Sequence, residues 1–159
     1  MSRSCKIYTP LDCERREIRL ISIVPVDWGD QINCSFTIVS LDHPNYYALS
    51  YVWGNRSPTR LVIVDGVEHQ VIVSLASALR RLRGFSAPGA MVWADALCMN
   101  QLDLEERSHQ VSMMGDIYRL TQEALIWIGE EDQEDCNFLI GCEKLQVRQI
   151  DLVKPVSRS

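Results

Sequence analysis

The chain has 159 residues and a formal net charge of −5, and its length predicts one domain, since domains usually have roughly 100–200 residues. Hydrophobic residues make up 47% and charged residues 23% of the sequence, which excludes intrinsic disorder, collagen and coiled coil and predicts a packed core. Acidic residues outnumber basic ones by 21 to 16, the wrong balance for a protein that binds a phosphate backbone. We therefore expect no nucleic-acid partner.

Six cysteines are spread thinly along the chain. A domain of this size folds without a disulfide framework, so we interpret them as thiols. The sequence begins without an apolar signal segment, and no stretch approaches the roughly 18 apolar residues of a membrane span. We expect a cytoplasmic protein without a membrane span.

Three segments rich in β-branched and aromatic residues predict strands in the first third of the chain. Apolar and polar side chains alternate loosely in residues 18–24 and 32–41, whereas residues 46–53 are almost continuously apolar. A strand without alternation is typical of burial on both faces. We therefore predict that 46–53 is a central strand of a parallel sheet.

Residues 61–64 and 70–73 flank the dipeptide Asp65-Gly66, which predicts a β-hairpin. A helix is predicted next, with Ser74 as its N-cap and Gly84 just beyond its end. Its buried positions follow helical spacing and are Leu75, Ala78, Leu79 and Leu82. Three arginines near its end complement the helix dipole better than they form a nucleic-acid surface, and they are Arg80, Arg81 and Arg83.

A second strand–helix–strand series is predicted beyond residue 89. A buried strand over 90–94 ends at Asp95, and an irregular loop follows it. Asp103 is placed as the N-cap of the next helix, with Glu106 completing a capping box. The predicted apolar face of this helix consists of Leu104, Val111, Met114 and Tyr118.

The last predicted strand covers residues 124–128 and is closed by Gly129. Residues 138–140 and Leu145 are typical of a partial helix, and residues 150–159 predict a flexible tail. Alternating strands and helices imply right-handed crossovers. We predict an α/β fold, a three-layer and mainly parallel sheet with an N-terminal β extension and a hairpin insertion.

The densest group of polar side chains follows the strand over 90–94. Open α/β sheets bind ligands beyond the carboxyl ends of their strands, so this group is the candidate site. The alternative is purely structural, because such side chains also cap helices and satisfy loop backbone groups. The members are Asp95, Asn100, Gln101, Glu106, Arg107 and Gln110.

Glycine-rich nucleotide motifs and the hydrolase elbow do not occur in the sequence. The histidines and cysteines lack zinc spacing, so we predict no metal and no bound cofactor. Cys98 and His109 could in principle act as nucleophile and base. A buried, unreactive Cys98 is the favoured interpretation. The tryptophans at strand positions are predicted to lie in the core, and they are Trp53, Trp93 and Trp127.

Four ordered blocks carry a family resemblance. They are Tyr47-Ala48-Leu49-Ser50-Tyr51-Val52-Trp53-Gly54, Trp93-x-Asp95-Ala96-Leu97-Cys98-Met99-Asn100-Gln101, Glu106-Arg107-x-x-Gln110-Val111-x-x-Met114-x-x-Ile117-Tyr118 and Trp127-Ile128-Gly129. In this order they resemble the fungal heterokaryon incompatibility (HET) domain, and four ordered blocks are far more specific than one motif. Upstream, Tyr8-x-Pro10-Leu11 and Glu17-Ile18-Arg19-Leu20 are similar to the lead-in of that family.

The resemblance implies a signalling role in fungal non-self recognition and regulated cell death. The module would act by self-association or by docking with other incompatibility or sensor proteins. The family-motif cluster that it assigns to the site is Ser50, Trp53, Gly54, Asp95, Cys98, Asn100, Gln101, Glu106, Arg107 and Gln110.

HET domains are also considered remote relatives of Toll/interleukin-1 receptor (TIR) domains, which implies a flavodoxin-like sheet. Some TIR relatives cleave NAD with a glutamate, so NAD is a possible substrate. This chain has no Trp-Cys-x-x-Glu pattern after Trp127, and its catalytic residues are unknown. Glu106 is the candidate acid within the matched blocks.

We expect a lead-in over residues 1–45, an incomplete HET domain over 46–149 and a tail over 150–159. The last segment resembles no family block, so a fragment, a short paralogue and a mis-predicted gene end stay open. A third functional hypothesis is therefore an inactive regulatory chain that binds full-length relatives. Missing core strands would leave an unpaired sheet edge, which favours self-association. Thr121 stands where the family usually has alanine, and its hydroxyl needs a partner.

Overall fold

The structure is a computed structural model that describes residues 7–25, 31–42, 45–51, 58–85, 90–130, 136–141 and 147–150. Trp53, Gly54 and Leu145 lie outside the described residues. The strands are β1 (Glu17–Ile23), β2 (Asn33–Ser40), β3 (Tyr47–Tyr51), β4 (Thr59–Val64), β5 (Val67–Ile72), β6 (Met91–Trp93), β7 (Glu123–Glu130), β8 (Cys136–Gly141) and β9 (Val147–Ile150). The helices are α1 (Val73–Phe85), α2 (Asp95–Cys98) and α3 (Leu104–Leu120).

All described strands belong to one sheet, in the order β5-β4-β2-β1-β6-β3-β7-β8-β9. The three central strands, β6, β3 and β7, are parallel, and β2 is parallel to β4. The other neighbours are antiparallel. The α/β class is confirmed, but the parallel character holds only in part. Short connections such as the β4–β5 turn can join only antiparallel strands, whereas helical crossovers produce the parallel centre.

Helices cover both faces of the sheet centre. Trp93 is in register with Ala48 across β6 and β3, and its ring packs edge to face on Tyr118 of α3 at 5.6 Å. Side chains alternate along a strand, so the neighbouring Val92 and Leu49 face away from α3. Both are fully buried, and α1 contacts β3 and β7 on that side.

The strands β1 and β2 lie within the sheet, between β6 and β4. The predicted hairpin is confirmed, with Asp65 and Gly66 at φ 48° and 78° in its two-residue turn. Positive φ at both central residues is the mark of a type I′ turn. Within the strand predicted over 46–53, residues 47–51 are confirmed as a central parallel strand, β3, and residues 52–53 lie outside the described residues.

Helix α1 buries its predicted residues, but both predicted ends are wrong. Ser74 lies inside the first turn, and its buried Oγ has no hydrogen-bond partner among the described residues. Because β5 ends at Ile72 and the helix begins at the next residue, Ile72 occupies the N-cap position, and its apolar side chain cannot accept a hydrogen bond. At the other end the helix continues through Gly84 to Phe85. The buried set is Leu75, Ala78, Leu79 and Leu82.

Three predictions in the second half of the chain are corrected. The loop after β6 begins with the short helix α2, and β7 continues past Gly129 to Glu130. Residues 138–140 belong to strand β8 instead of a partial helix, because β8 pairs antiparallel along the edge of β7. Sequence periodicity cannot separate a short apolar strand from a helical segment.

The predicted apolar face of α3 is correct at two of its four positions. Met114 and Tyr118 pack against the core, whereas Leu104 and Val111 are 75% and 50% exposed. The buried residues of the helix are Gln110, Met113 and Ile117. The buried stripe contains a polar residue, which periodicity of hydrophobic residues cannot reveal. No described helix is long and apolar enough to cross a membrane.

Trp93 and Trp127 lie in the core as predicted. Thr121, which follows α3, finds partners for its hydroxyl. Its Oγ1 accepts from the Ala48 N–H at 3.0 Å and donates to the Tyr46 carbonyl oxygen at 2.8 Å. This bridge fixes the end of α3 to the start of β3.

Two glycine substitutions are expected to change stability in opposite directions. Gly66→Ala places a Cβ at φ 78°, and we expect it to lower the free energy of unfolding by about 1–2 kcal/mol. Gly115→Ala, in the middle of α3 with open space at its Cβ, should raise it by about 0.4–1 kcal/mol. Urea unfolding measures both, and equal effects of the two changes would contradict the assigned turn.

Candidate functional site

A buried arginine lies beside the carboxyl end of β6. Arg19 of β1 is 1% exposed, and its two terminal nitrogens both donate to the carboxylate of Glu106 on α3. Nη2 lies 2.9 Å from Glu106 Oε2 and 2.6 Å from the Thr9 carbonyl oxygen, and Nη1 lies 3.2 Å from the Cys98 carbonyl oxygen. One guanidinium thus joins β1, α2, α3 and the N-terminal segment.

The carboxylate of Glu106 is also held by the loop before α3. Oε1 accepts from the Asn100 N–H at 3.0 Å. Asp103 is the N-cap as predicted, accepting from the N–H groups of Glu105 and Glu106 at 3.1 Å. The predicted capping box is wrong, because Glu106 turns to Arg19 and the Asp103 N–H donates to the Asn100 carbonyl. A bidentate bond to a buried guanidinium is stronger than a bond to one backbone N–H.

Tyr8 closes this cluster from the N-terminal side. Its ring lies over the Arg19 guanidinium, 4.9 Å from ring centroid to Cζ. Its hydroxyl donates to the Leu97 carbonyl oxygen at 3.0 Å. Burial raises the pKa of Tyr8 to about 12, with Arg19 acting in the opposite direction. The phenol therefore stays protonated and keeps the N-terminal segment on α2.

A second group of polar side chains lies where β3 and β6 end. The Tyr51 hydroxyl donates to Asp95 Oδ1 at 2.7 Å, and the Ala96 N–H donates to the same oxygen at 2.7 Å. Burial, and then the Asp95 carboxylate, raises the pKa of Tyr51. Burial, followed by the same carboxylate, also raises the pKa of Tyr118 to about 12. Asp95 thus lies next to two protonated phenols.

The topology makes these strand ends a natural ligand position. From β3 the chain reaches β6 on one side, and from β6 it passes over β3 to reach β7 on the other. The order therefore reverses at β3, and α1 and α3 lie on opposite faces. Ligands of open α/β sheets bind at such a switch point, beyond the carboxyl ends of the strands. Tyr51 and Asp95 lie there.

The predicted site residues divide into two groups. Ser50 lies with Asp95 at the strand ends, where the Tyr118 hydroxyl donates to the Leu49 carbonyl oxygen at 3.2 Å. Gln101 Nε2 donates to the Asp95 carbonyl oxygen at 3.0 Å. Asn100 and Glu106 belong instead to the cluster around Arg19. Trp53 and Gly54 are outside the described residues. The sequence prediction missed Tyr51 and Tyr118 as partners of this site, although both lie in the matched blocks.

Arg107 and Gln110 stand apart from both groups. The Arg107 side chain is exposed, while Gln110 is fully buried. Gln110 Nε2 donates to the Glu17 carbonyl oxygen at 3.0 Å, and its Oε1 has no hydrogen-bond partner among the described residues. Gln110 therefore ties α3 to the start of β1.

Cys98 is a buried thiol that serves the core. Its Sγ accepts from the Ala94 N–H at 3.3 Å, and burial raises its pKa to about 12. His109 lies elsewhere, lining a cavity of about 210 Å³ beside Cys13 and Glu106. These positions favour the interpretation of Cys98 as an unreactive core residue. In the described ranges, no three His, Cys, Asp or Glu side chains group as metal ligands would.

A wide groove of about 1010 Å³ runs between the N-terminal segment, β5 and the α2–α3 loop. Leu102 and Leu104 on its wall are 95% and 75% exposed. The acidic side chains that line it are Asp103 and Glu105. The groove is open and its wall is partly apolar.

Comparison with known proteins identifies the family. The family model described as "Heterokaryon incompatibility protein (HET)" matches residues 46–155. The chain belongs to the HET family. It is 34% identical over 126 residues to "Heterokaryon incompatibility protein 6, OR allele" of Neurospora crassa. That alignment covers 70% of this chain and 18% of the relative, so the chain spans less than a fifth of that protein. No solved structure matched the chain.

The HET match covers the centre of the sheet. The matched range includes β3, β6 and β7 together with α3, which form the switch point. Arg19 lies upstream of the match, and the sequence prediction missed its role. A lone arginine between Ile18 and Leu20 in an apolar strand was the available signal, since a buried cation needs a carboxylate partner.

Loss of the Glu106 charge is expected to lower the free energy of unfolding of the HET chain. Glu106→Gln leaves the buried Arg19 guanidinium without its counter-charge, and breaking one side of a buried pair costs about 3–5 kcal/mol. Glu105→Gln, one position away and exposed, should stay within about 0.5 kcal/mol. Chemical denaturation of both variants measures the difference. Equal stabilities would show that the ion pair contributes little.

Thiol accessibility gives a second check. Cys13 is exposed, whereas Cys34 and Cys98 are buried, and burial raises the pKa of each buried thiol to about 12. Iodoacetamide at pH 8 should therefore alkylate Cys13 in the folded protein and reach Cys34 and Cys98 only in urea. Peptide mapping by mass spectrometry follows each site. Fast labelling of folded Cys98 would contradict its position in the core.

Proposed function

We propose that this HET chain is an interaction and signalling module of heterokaryon incompatibility, the fungal response to non-self cells. It acts in the cytoplasm and triggers regulated cell death by self-association or by docking with other incompatibility or sensor proteins. The observation that carries the proposal is the family match, supported by similarity to a protein named for heterokaryon incompatibility. Because the chain covers 18% of that relative, the activity of the whole relative is transferred only as a proposal.

The chemistry of the candidate acid favours a module over an enzyme that uses Glu106. Its side chain is 11% exposed and binds the Arg19 guanidinium through both oxygens. A carboxylate so engaged would have to break a buried ion pair before it could serve a substrate. The wide groove and the exposed leucines beside it instead resemble a surface for contact with another protein.

The alternative function is TIR-like cleavage of NAD. The Asp95 carboxylate, held by Tyr51 at the switch point, supports it. The bond between nicotinamide and the ribose would break, nicotinamide would leave with the bonding electrons, and water would add to the ribose with loss of a proton. Asp95 would stabilise the positive charge that develops on the ribose. In this alternative Asp95, and not Glu106, is the acid at the strand ends of the switch point.

A third candidate is an inactive regulatory chain that binds full-length relatives without signalling itself. It differs from the proposed module in a cell-based assay, because a regulatory chain would suppress death caused by a full-length relative, whereas a module would cause it.

The deciding experiment expresses the chain from an inducible promoter in a filamentous fungus and scores death with a vital dye. Growth arrest and staining on induction are expected, and an Asp95→Asn variant should act like the wild type if docking is the mechanism. In parallel, purified protein at high concentration is incubated with NAD, and free nicotinamide is measured. Nicotinamide released by the wild type but not by folded Asp95→Asn would overturn the module in favour of the enzyme. Protection from death would favour the regulatory chain.

A further inference from the structure

The sheet ends in a strand with one free side. In the part of the chain that the structure describes, β5 pairs with β4 alone. The two-residue turn makes Val64 and Val67 a hydrogen-bonded pair, and bonding alternates along an antiparallel ladder. The N–H and C=O groups of Glu68 and Gln70 therefore point away from β4. Both residues are exposed, so this edge can accept another strand.

The groove of about 1010 Å³ lies beside that edge. Val67 and His69 of β5 line it, and Leu102 and Leu104 on its wall are both largely exposed. Burial lowers the pKa of His69, so the imidazole is neutral at pH 7. Side chains that enter the groove next to β5 thus meet two exposed leucines and an uncharged ring, with Asp103 and Glu105 also on the wall.

The charged side chains that line the groove have one sign. They are Asp103 and Glu105, and Glu68 projects from the other face of β5, while Arg60 lies on the neighbouring strand β4, opposite Val71. In an added strand, the residue opposite Glu68 lies on the same face of the sheet as Glu68. The residues before and after it in the added strand lie on the groove face. A strand with lysine or arginine at one set of alternate positions and apolar residues at the other therefore fits both faces.

We propose that the β5 edge and its groove bind an extended segment of a partner protein in which apolar and basic residues alternate. The segment adds to the sheet as a further strand, with its apolar side chains against Leu102 and Leu104 and a basic side chain opposite Glu68. A second copy of this chain fits less well. It would bring the same acidic residues and a net charge of −5 against like charges.

This inference gives chemistry to the docking partner of the proposed function and in that sense rests on it. The two fail separately, because peptide binding is measured on purified protein and cell death in fungal cells. Absence of death with intact peptide binding would overturn only the proposed function. Absence of peptide binding with intact cell death would overturn only this inference.

The test uses a fluorescein-labelled peptide of sequence Val-Lys-Val-Lys-Leu-Lys-Val and fluorescence anisotropy with the full chain. Saturable binding is expected, with at least about tenfold weaker binding of the glutamate counterpart and of a scrambled peptide of equal composition. N-methylation of the residues that donate to the edge should abolish binding. Salt should weaken it, because the Debye length falls from about 10 Å at 0.1 M to about 3 Å at 1 M.

Matched variants test whether the peptide binds along β5. Gln70→Pro removes the outward N–H at an edge position where proline is tolerated, and it should abolish binding, whereas Gln70→Ala keeps that N–H and should bind normally. Leu102→Ser and Leu104→Ser should each weaken binding several-fold. Val24→Ser, a change at another exposed apolar residue, should not.

Three outcomes would overturn the proposal. The first is equal binding of the alternating and scrambled peptides, which would indicate charge attraction without strand addition. The second is unchanged binding by Gln70→Pro, with circular dichroism confirming that both Gln70 variants fold. The third is a wild-type dimer in analytical ultracentrifugation that Gln70→Pro dissociates, which would make a second copy the occupant.

Discussion

The structure depends on the burial of one cation. Arg19 lies in an apolar strand, out of contact with water, and such a charge needs a counter-charge and hydrogen-bond acceptors. Glu106 supplies the counter-charge, and the carbonyl groups of Thr9 and Cys98 accept from the two terminal nitrogens, while Nε has no hydrogen-bond partner among the described residues. These partners lie far apart in sequence, so satisfying one side chain fixes the N-terminal segment, α2 and α3 around the end of β6.

The order of the strands explains the switch point at β3. Three parallel strands at the centre require two long crossovers, and these run on opposite faces because the strand order reverses at β3. The switch point at Tyr51 and Asp95 is a consequence of that reversal. The flanking strands are mostly antiparallel and leave β5 at an edge of the sheet.

Local patterns predicted much of the fold because their causes are local. Asp65 and Gly66 form the turn because both tolerate positive φ. Asp103 caps α3 because its acidic side chain precedes the helix. The buried face of α1 follows from one helical period. The short helix α2, the strand direction at the flanks and the strand character of residues 138–140 were not predicted. In each case a neighbouring element, not the segment itself, decides the conformation.

For the candidate site, the sequence by itself identified the family blocks and the strand end at which Asp95 lies. It also determined the α/β class, the hairpin, the core tryptophans and the acidic balance of the surface, because these follow from composition and short-range spacing. Only the tertiary structure decided that Glu106 binds Arg19 across 87 residues, that Tyr51 holds Asp95 and that β5 has a free side. Such pairings depend on which strands become neighbours, and a buried charge or an open edge exists only once the sheet has formed.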